Sequence, residues 1–150
     1  MNLRDLPLGS LIVRDGLASP ATARDALFEA KETDRRLGEV MLARGCIGER
    51  DLARLLAEQA KLEFVDLIAI HPDEAAVDQL PEPVARRVQA IAYDVDDDAL
   101  VVAVADPTDE HGLDEVRRAT GRRVRFTIAA PSEIESALSG AFSKPLLRSA

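Results

Sequence analysis

The sequence is poor in the residues on which catalysis and metal ligation often depend: it has one cysteine, two histidines and three lysines. None of the lysines follows a glycine, which excludes a P-loop, because that loop needs a glycine-rich turn ahead of its lysine. The lone Cys46 cannot form an internal disulfide, and its apolar position favours a small buried residue over a nucleophile or metal ligand. His71 and His111 lie far apart, each beside a turn signal, so no metal pair or acid–base couple is indicated. The sequence therefore assembles no catalytic constellation, and we predict that the chain is not an enzyme.

Long apolar runs and excess positive charge are also missing. No apolar run approaches the roughly 20 residues needed to cross a bilayer, and the N-terminus MNLRDLPLGS lacks the apolar core of a signal peptide. The net charge of −8 argues against a nucleic-acid partner, which would require a positive field to meet phosphate. We therefore expect a cytoplasmic protein without direct membrane insertion, whose 47% hydrophobic composition can build one domain or two small subdomains.

The most informative stretch that is present is 36–59, RLGEVMLARGCIGERDLARLLAEQ. It predicts two short helices, and Gly45 falls where the first can end in a left-handed conformation. Gly48 is a possible N-cap for the second helix, and Asp51 lies in its first turn, where a negative charge favours the helix dipole. Leucines and a glutamine then recur at helical spacing on one face, at Leu52, Leu56 and Gln59.

The same layout occurs once before, at a constant offset of 29 residues. Two leucines and two glycines precede their counterparts by that offset: Leu8, Gly9, Gly16 and Leu27 precede Leu37, Gly38, Gly45 and Leu56. A register shared by this many positions indicates an internal duplication of a helical hairpin.

Residues 36–59 resemble the nucleotide-binding motif in the N-terminal domain of type II secretion and type IV pilus assembly ATPases, the MshE/GspE/PilB N-terminal domain family. That motif has the form RLG, six residues, G, thirteen residues, Q, with leucines between. In the family two such motifs, joined by a five-residue spacer, wrap one molecule of cyclic di-GMP. The second copy carries the whole pattern, at Arg36, Leu37, Gly38, Gly45, Leu52, Leu56 and Gln59. Residues 31–35 would form the spacer.

The first copy, 7–30, departs from the family pattern at three positions. Pro7 stands at the arginine position, Ala23 at a leucine position and Ala30 at the glutamine position. The turn glycines and packing leucines that it keeps are Leu8, Gly9, Gly16 and Leu27. The fold of the first hairpin should therefore survive, as a degraded half of the binding site.

The resemblance implies a role for each motif residue. A cyclic dinucleotide carries two negative charges and two flat bases, so its site needs a cation, close backbone approach and apolar surfaces. Arg36 would meet a guanine or phosphate, and Gln59 would add a hydrogen bond. Gly38 and Gly45 would let the backbone come close, while Leu37, Leu52 and Leu56 would cover a base. No other cofactor is implied.

Two functions remain open from the sequence. The first is a non-catalytic regulatory domain that binds cyclic di-GMP, in a chain that lacks the ATPase activity of the larger family members. The second is a docking module or adaptor that needs no intact first motif, because family domains also dock onto other components of these machines. Its partner would be the cytoplasmic domain of an inner-membrane secretion or pilus protein, or a partner ATPase, which would hold the chain at the inner membrane.

The predicted fold class is α+β, with duplicated helical hairpins followed by a small β-β-α-β-α subdomain. The predicted regions are 1–62 for the hairpins, 63–87 for a connecting segment with short helices, 88–142 for the α/β subdomain and 143–150 for a tail. In the hairpins, Ser19 should cap a helix that begins at Pro20 and runs to about Lys31, and Thr33 or Asp34 should cap the next one.

In the second half the sequence predicts three strands and two helices, with the helices packed on one side of the sheet. The predicted strands are 88–93, 100–105 and 124–129. The acidic run 94–98 lacks the spacing and the glycine of a calcium-binding EF-hand, and a hairpin turn is the better interpretation. Asp106 and Pro107 should open a helix that ends at Gly121, and Pro131 should open a last helix with Ile134 and Leu138 on one face.

Overall fold

The structure, a computed structural model, describes the backbone of residues 8–148 and the side chains of residues 8–142. It divides into two compact units, the first ending at Lys61 and the second beginning at Leu62. The first unit contains four helices: α1 Leu8–Arg14, α2 Pro20–Thr33, α3 Leu37–Ala43 and α4 Glu49–Ala60. The second contains α5 Glu74–Val77, α6 Glu82–Val88, β1 Ala90–Asp96, β2 Ala99–Val104, α7 Glu110–Thr120, β3 Val124–Ile128 and α8 Pro131–Arg148. The α+β class and the order of elements predicted from the sequence are confirmed.

The duplicated hairpins share one turn geometry. Gly16 and Gly45 both have φ of +72°. The N–H of Gly16 donates to the carbonyl of Val13, and the N–H of Gly45 donates to the carbonyl of Leu42, each with an N···O distance of 3.0 Å. Because donors and acceptors are displaced by the same offset, α1 and α3 end in the same hydrogen-bonded motif.

The turn glycines allow a prediction with an internal control. Gly45→Ala should lower the free energy of unfolding of the first unit by about 1–2 kcal/mol, because an alanine side chain is strained at positive φ. Gly140→Ala should instead raise stability by about 0.5–1 kcal/mol, because Gly140 lies inside α8 and an added Cβ there would meet no side chain of residues 8–142 within 4 Å. Urea denaturation of both variants would test this, and two shifts of the same sign would contradict it.

Helix α2 begins as predicted but ends differently. Ser19 caps it, since its hydroxyl oxygen accepts a hydrogen bond from the N–H of Thr22 at an N···O distance of 3.1 Å. The helix continues to Thr33 and closes at Asp34, whose φ of 55° places it in the left-handed region. The prediction that Thr33 or Asp34 caps the next helix is therefore wrong: both belong to the end of α2, and Arg36 occupies the N-cap of α3.

The core of the first unit joins the two copies reciprocally. Ile12 and Met41, which stand at equivalent positions, are both fully buried in one cluster. An ion pair of 2.7 Å links Arg14, at the end of α1, to Glu58 of α4, and one of 2.6 Å links Arg44, after α3, to Glu29 of α2. Each short helix is thus tied to the long helix of the other copy. Since these ion pairs are partly solvated, packing rather than charge supplies most of the stability.

The second unit is built on a three-stranded sheet of order β1-β2-β3. Strands β1 and β2 are antiparallel, β2 and β3 are parallel, and the β1–β2 turn lies at Asp97 and Asp98, both at positive φ. The first strand begins later than predicted, because α6 extends through Val88 and closes at Gln89 in the left-handed region. It also continues to Asp96, into the run predicted as turn.

Helix α7 also begins at a different residue from the one predicted. Asp106 and Pro107 do not open the helix. The carboxylate of Asp106 instead accepts from the N–H of Thr108 over 2.9 Å, which forms a local turn. Asp109 is the N-cap and accepts from the N–H of Gly112 over 3.0 Å, while Gly121 ends the helix as predicted, with φ of +62°.

Burial shows how the sheet is covered. All six residues of β2 are buried, and successive side chains of a strand point to opposite faces. Both faces are therefore covered at the central strand. Ile134 and Leu138 of α8 are buried, as expected from their spacing. Within residues 8–148, no helix combines the length and apolarity that a bilayer crossing requires.

Candidate functional site

A groove of about 780 Å³ lies in the first unit, between α1 and α2 and beside the start of α3. This volume is within the range of small-molecule sites, about 300–1,000 Å³. Four of the eleven residues predicted for the site line it: Leu8, Gly9 and Leu27 of the first copy and Leu37 of the second. The two motifs therefore contribute to one apolar surface.

A reciprocal contact between leucines and glycines brings the two motifs together. A Cβ atom added at Gly9 would lie 3.4 Å from Cδ2 of Leu37, and one added at Gly38 would lie 3.5 Å from Cδ2 of Leu8. The leucine of each motif thus packs against the glycine of the other.

The glycines of the second motif have structural roles in this geometry. Gly38 is buried, and an added Cβ would lie 3.0 Å from Cδ1 of Leu52. The missing side chain at Gly38 therefore lets Leu52 of α4 pack closely on α3. Gly16 and Gly45 are exposed turn residues, and in the part of the chain that the structure describes an added Cβ would meet no atom within 4 Å apart from the adjacent backbone.

The remaining predicted residues lie outside the groove lining. Arg36 is exposed and directly precedes groove-lining Leu37, and its side chain does not cap α3. Leu56 and Gln59 are half-buried on α4. Pro7, which stands at the arginine position of the first motif, lies outside the described residues.

Six lining residues were not predicted as part of a site: Ser10, Val13, Arg14, Pro20, Ala23 and Arg24. Their helical spacing was the available signal, because residues three and four apart share one face of a helix. Val13 and Arg14 follow Ser10 at this spacing in α1, as Ala23 and Arg24 follow Pro20 in α2. None of these six residues matches the family pattern.

The two arginines of the groove differ in their partners. Nη2 of Arg14 lies 2.7 Å from Oε2 of Glu58, and its Nε lies 2.9 Å from Oδ1 of Asp15. Hydrogen bonds to Asp15 and then to Glu58 raise the pKa of Arg14 above its ordinary value. Arg24 is exposed and forms no hydrogen bond or ion pair with any residue from 8 to 142. Among the described residues, it is therefore the groove cation available to an anion.

Solved structures share the fold of most of the chain. The structure of MshE with cyclic di-GMP aligns with a TM-score of 0.79 and 32% identity, covering 91% of this chain and 99% of that one. The N-terminal domain of XpsE aligns with a TM-score of 0.71 over 93% of this chain and 96% of that one. At 23% identity, this second match shows the fold alone.

Curated relatives match over most of this chain. The type IV pilus assembly ATPase PilB of Thermus thermophilus is 31% identical over 88% of it, and PilB of Myxococcus xanthus is 25% identical over 87%. Bacteriophage adsorption protein B of Escherichia coli K12 is 28% identical over 88%. The chain spans only 14%, 23% and 18% of the lengths of these three proteins, respectively.

The family profile adds a match in the second unit. The MshEN domain profile matches residues 60–146, more than half of the chain. The profile match and the structural alignment to MshE both correspond to an N-terminal regulatory domain, and neither includes an ATPase catalytic domain. The chain belongs to the MshEN domain family, and it resembles the N-terminal domains of secretion and pilus ATPases.

Proposed function

We propose that this chain is a non-catalytic regulatory domain that binds cyclic di-GMP in its first unit. The observation that carries the proposal is the groove lined by leucines of both motifs, Leu8 and Leu27 from one copy and Leu37 from the other. The match to MshE, whose structure contains cyclic di-GMP, supports the choice of ligand.

The groove has the chemistry that such a ligand requires. A guanine base lies flat against apolar side chains, and Leu27 offers one that is 42% exposed. Gly9 keeps the backbone of α1 accessible beside it. Arg36, next to Leu37, would contact a guanine or a phosphate at the edge of the groove. In the second motif, Leu52 and Leu56 would face the other base, and Gln59 would donate a hydrogen bond.

Calorimetric titration of the chain with cyclic di-GMP tests the proposal directly. We expect selective binding at micromolar concentration or tighter, with cyclic di-AMP and GTP giving no comparable heat. These competitors share the phosphate charge or the guanine base with the ligand. Selective binding of cyclic di-GMP would therefore distinguish a specific site from general anion binding. Equal responses to all three nucleotides would contradict the proposal.

Leu27→Ala should weaken cyclic di-GMP binding about fivefold, equivalent to roughly 1 kcal/mol of lost apolar contact. Phe28→Ala is the matched control, because Phe28 is also an exposed apolar residue of α2, at 68% exposure, but lies outside the groove. Neither variant should change the unfolding midpoint appreciably. Equal affinities for both variants would place the ligand elsewhere.

A docking module is the second candidate, favoured by the loss of the motif arginine and glutamine at positions 7 and 30. In this case the hairpins persist for packing and the chain binds a protein partner, such as a cytoplasmic domain of an inner-membrane component or a partner ATPase. A folded chain that gives no heat with cyclic di-GMP would favour this function.

A further inference from the structure

The two copies differ at the residue that covers the motif glycine. In the second copy Leu52 packs on Gly38, and Gly38 is buried. The equivalent of Leu52 in the first copy is Ala23. Among residues 8–142, apart from the adjacent backbone of α1, Leu37 alone comes within 4 Å of a Cβ added at Gly9. Gly9 and Ala23 both line the groove. Although Ala23 itself is only 8% exposed, the shorter side chain leaves Gly9 half-buried at the groove, whereas Gly38 is buried beneath Leu52.

The two copies also differ in where they carry positive charge. The first copy has Pro7 where the second has Arg36, but it has Arg24 at the position of Ala53. Ala53 is 2% exposed inside α4, whereas Arg24 is exposed and lines the groove. This cation therefore has no counterpart in the second copy.

Arg24 is also better placed to receive an anion than the other arginine of the groove. The guanidinium of Arg14 is held by carboxylates, at 2.7 Å from Glu58 and 2.9 Å from Asp15. A phosphate would have to compete with both acids for it. Arg24 has no such competitor within residues 8–142, and its planar guanidinium can donate two parallel hydrogen bonds to phosphate oxygens.

We propose that Arg24 makes the contact to a phosphate of cyclic di-GMP that the arginine of an intact first motif would make, with the base lying over Gly9, Ala23 and Leu27. This inference rests on the proposed function. In the first copy, Arg24 on α2 would then compensate for the missing arginine at position 7, because it supplies a cation to the same groove.

Calorimetry on Arg24→Ala, Arg24→Lys and Lys31→Ala tests the inference. Lys31 is the matched control, an exposed cation two helical turns further along α2, outside the groove. We expect Arg24→Ala to bind cyclic di-GMP about tenfold more weakly than the wild type, Arg24→Lys to lie between the two, and Lys31→Ala to stay within about twofold of the wild type. Higher ionic strength should narrow the gap between wild type and Arg24→Ala, because salt screens an exposed charge.

Each result leads to a distinct conclusion. If the wild type binds and Arg24→Ala binds equally well, the assignment of Arg24 is wrong while the proposed function stands. If Lys31→Ala loses as much affinity, the effect is one of net charge, and the specific contact is again wrong. A lower unfolding midpoint in Arg24→Ala would give Arg24 a structural role instead. If the wild type does not bind, the proposed function fails, and this inference fails with it.

Discussion

Arg36→Ala is expected to weaken cyclic di-GMP binding by about tenfold to a hundredfold, with little change in the stability of the first unit. Hydrogen bonds to charged groups contribute about 1.5–3 kcal/mol, which corresponds to this range of affinity. Arg36 is exposed, and its side chain does not cap α3, so the helix should form without it. Calorimetry and thermal unfolding of the same samples would measure the two effects separately.

The neighbouring arginine provides the control for this prediction. Arg35 is also exposed, and its Nε lies 3.8 Å from a carboxylate oxygen of Glu39. Arg35→Ala removes the same charge one residue away, outside the motif and the groove lining, and should change affinity by less than about twofold. Similar losses in both variants would indicate a general electrostatic effect, and an unchanged affinity in Arg36→Ala would remove the motif arginine from the site.

Ile12→Ala should lower the free energy of unfolding of the first unit by about 2–5 kcal/mol. Ile12 has 0% exposure and lies in the cluster that contains residues of all four helices. Truncation removes apolar contacts and leaves a cavity that the surrounding helices can fill only partly. Chemical denaturation, followed by hydrogen exchange at the amides of α1 and α3, would locate the loss.

The control for the core prediction is the same substitution at an exposed isoleucine. Ile68 is 76% exposed in the second unit, so Ile68→Ala should change stability by less than about 0.5 kcal/mol. An equal loss at both positions would contradict the assignment of Ile12 to the core. Saturating cyclic di-GMP should recover part of the loss in Ile12→Ala, since a ligand that binds only the folded state stabilises it.

Local chemistry explains which helix and strand boundaries the sequence predicted. The cap at Ser19 and the turn at Gly45 depend on residues only a few positions away, and both were predicted correctly. One failure occurred where two nearby residues offered the same local chemistry. Asp106 and Asp109 can each accept a backbone hydrogen bond at a helix start, and only the folded chain shows that Asp109 caps α7.

Left-handed helix ends at residues other than glycine were a second source of error. Asp34 and Gln89 close α2 and α6 at positive φ. The sequence gives little indication of such ends, because the left-handed conformation is unfavourable for residues with a side chain and is expected mainly at glycine. The first strand therefore begins two residues later than predicted, at Ala90 instead of Val88.

The sequence by itself determined the duplicated hairpins, their turn glycines and the order of elements in the second half, because these follow from spacing and short-range hydrogen bonds. Only the tertiary structure decided which side chains meet across the two copies. It placed Leu52 on Gly38, left Gly9 half-buried in the groove lining, and left Arg24 without a partner among residues 8–142. The physical reason is that a groove forms where packing fails to fill space between helices, and this depends on residues distant in the chain rather than on any local pattern.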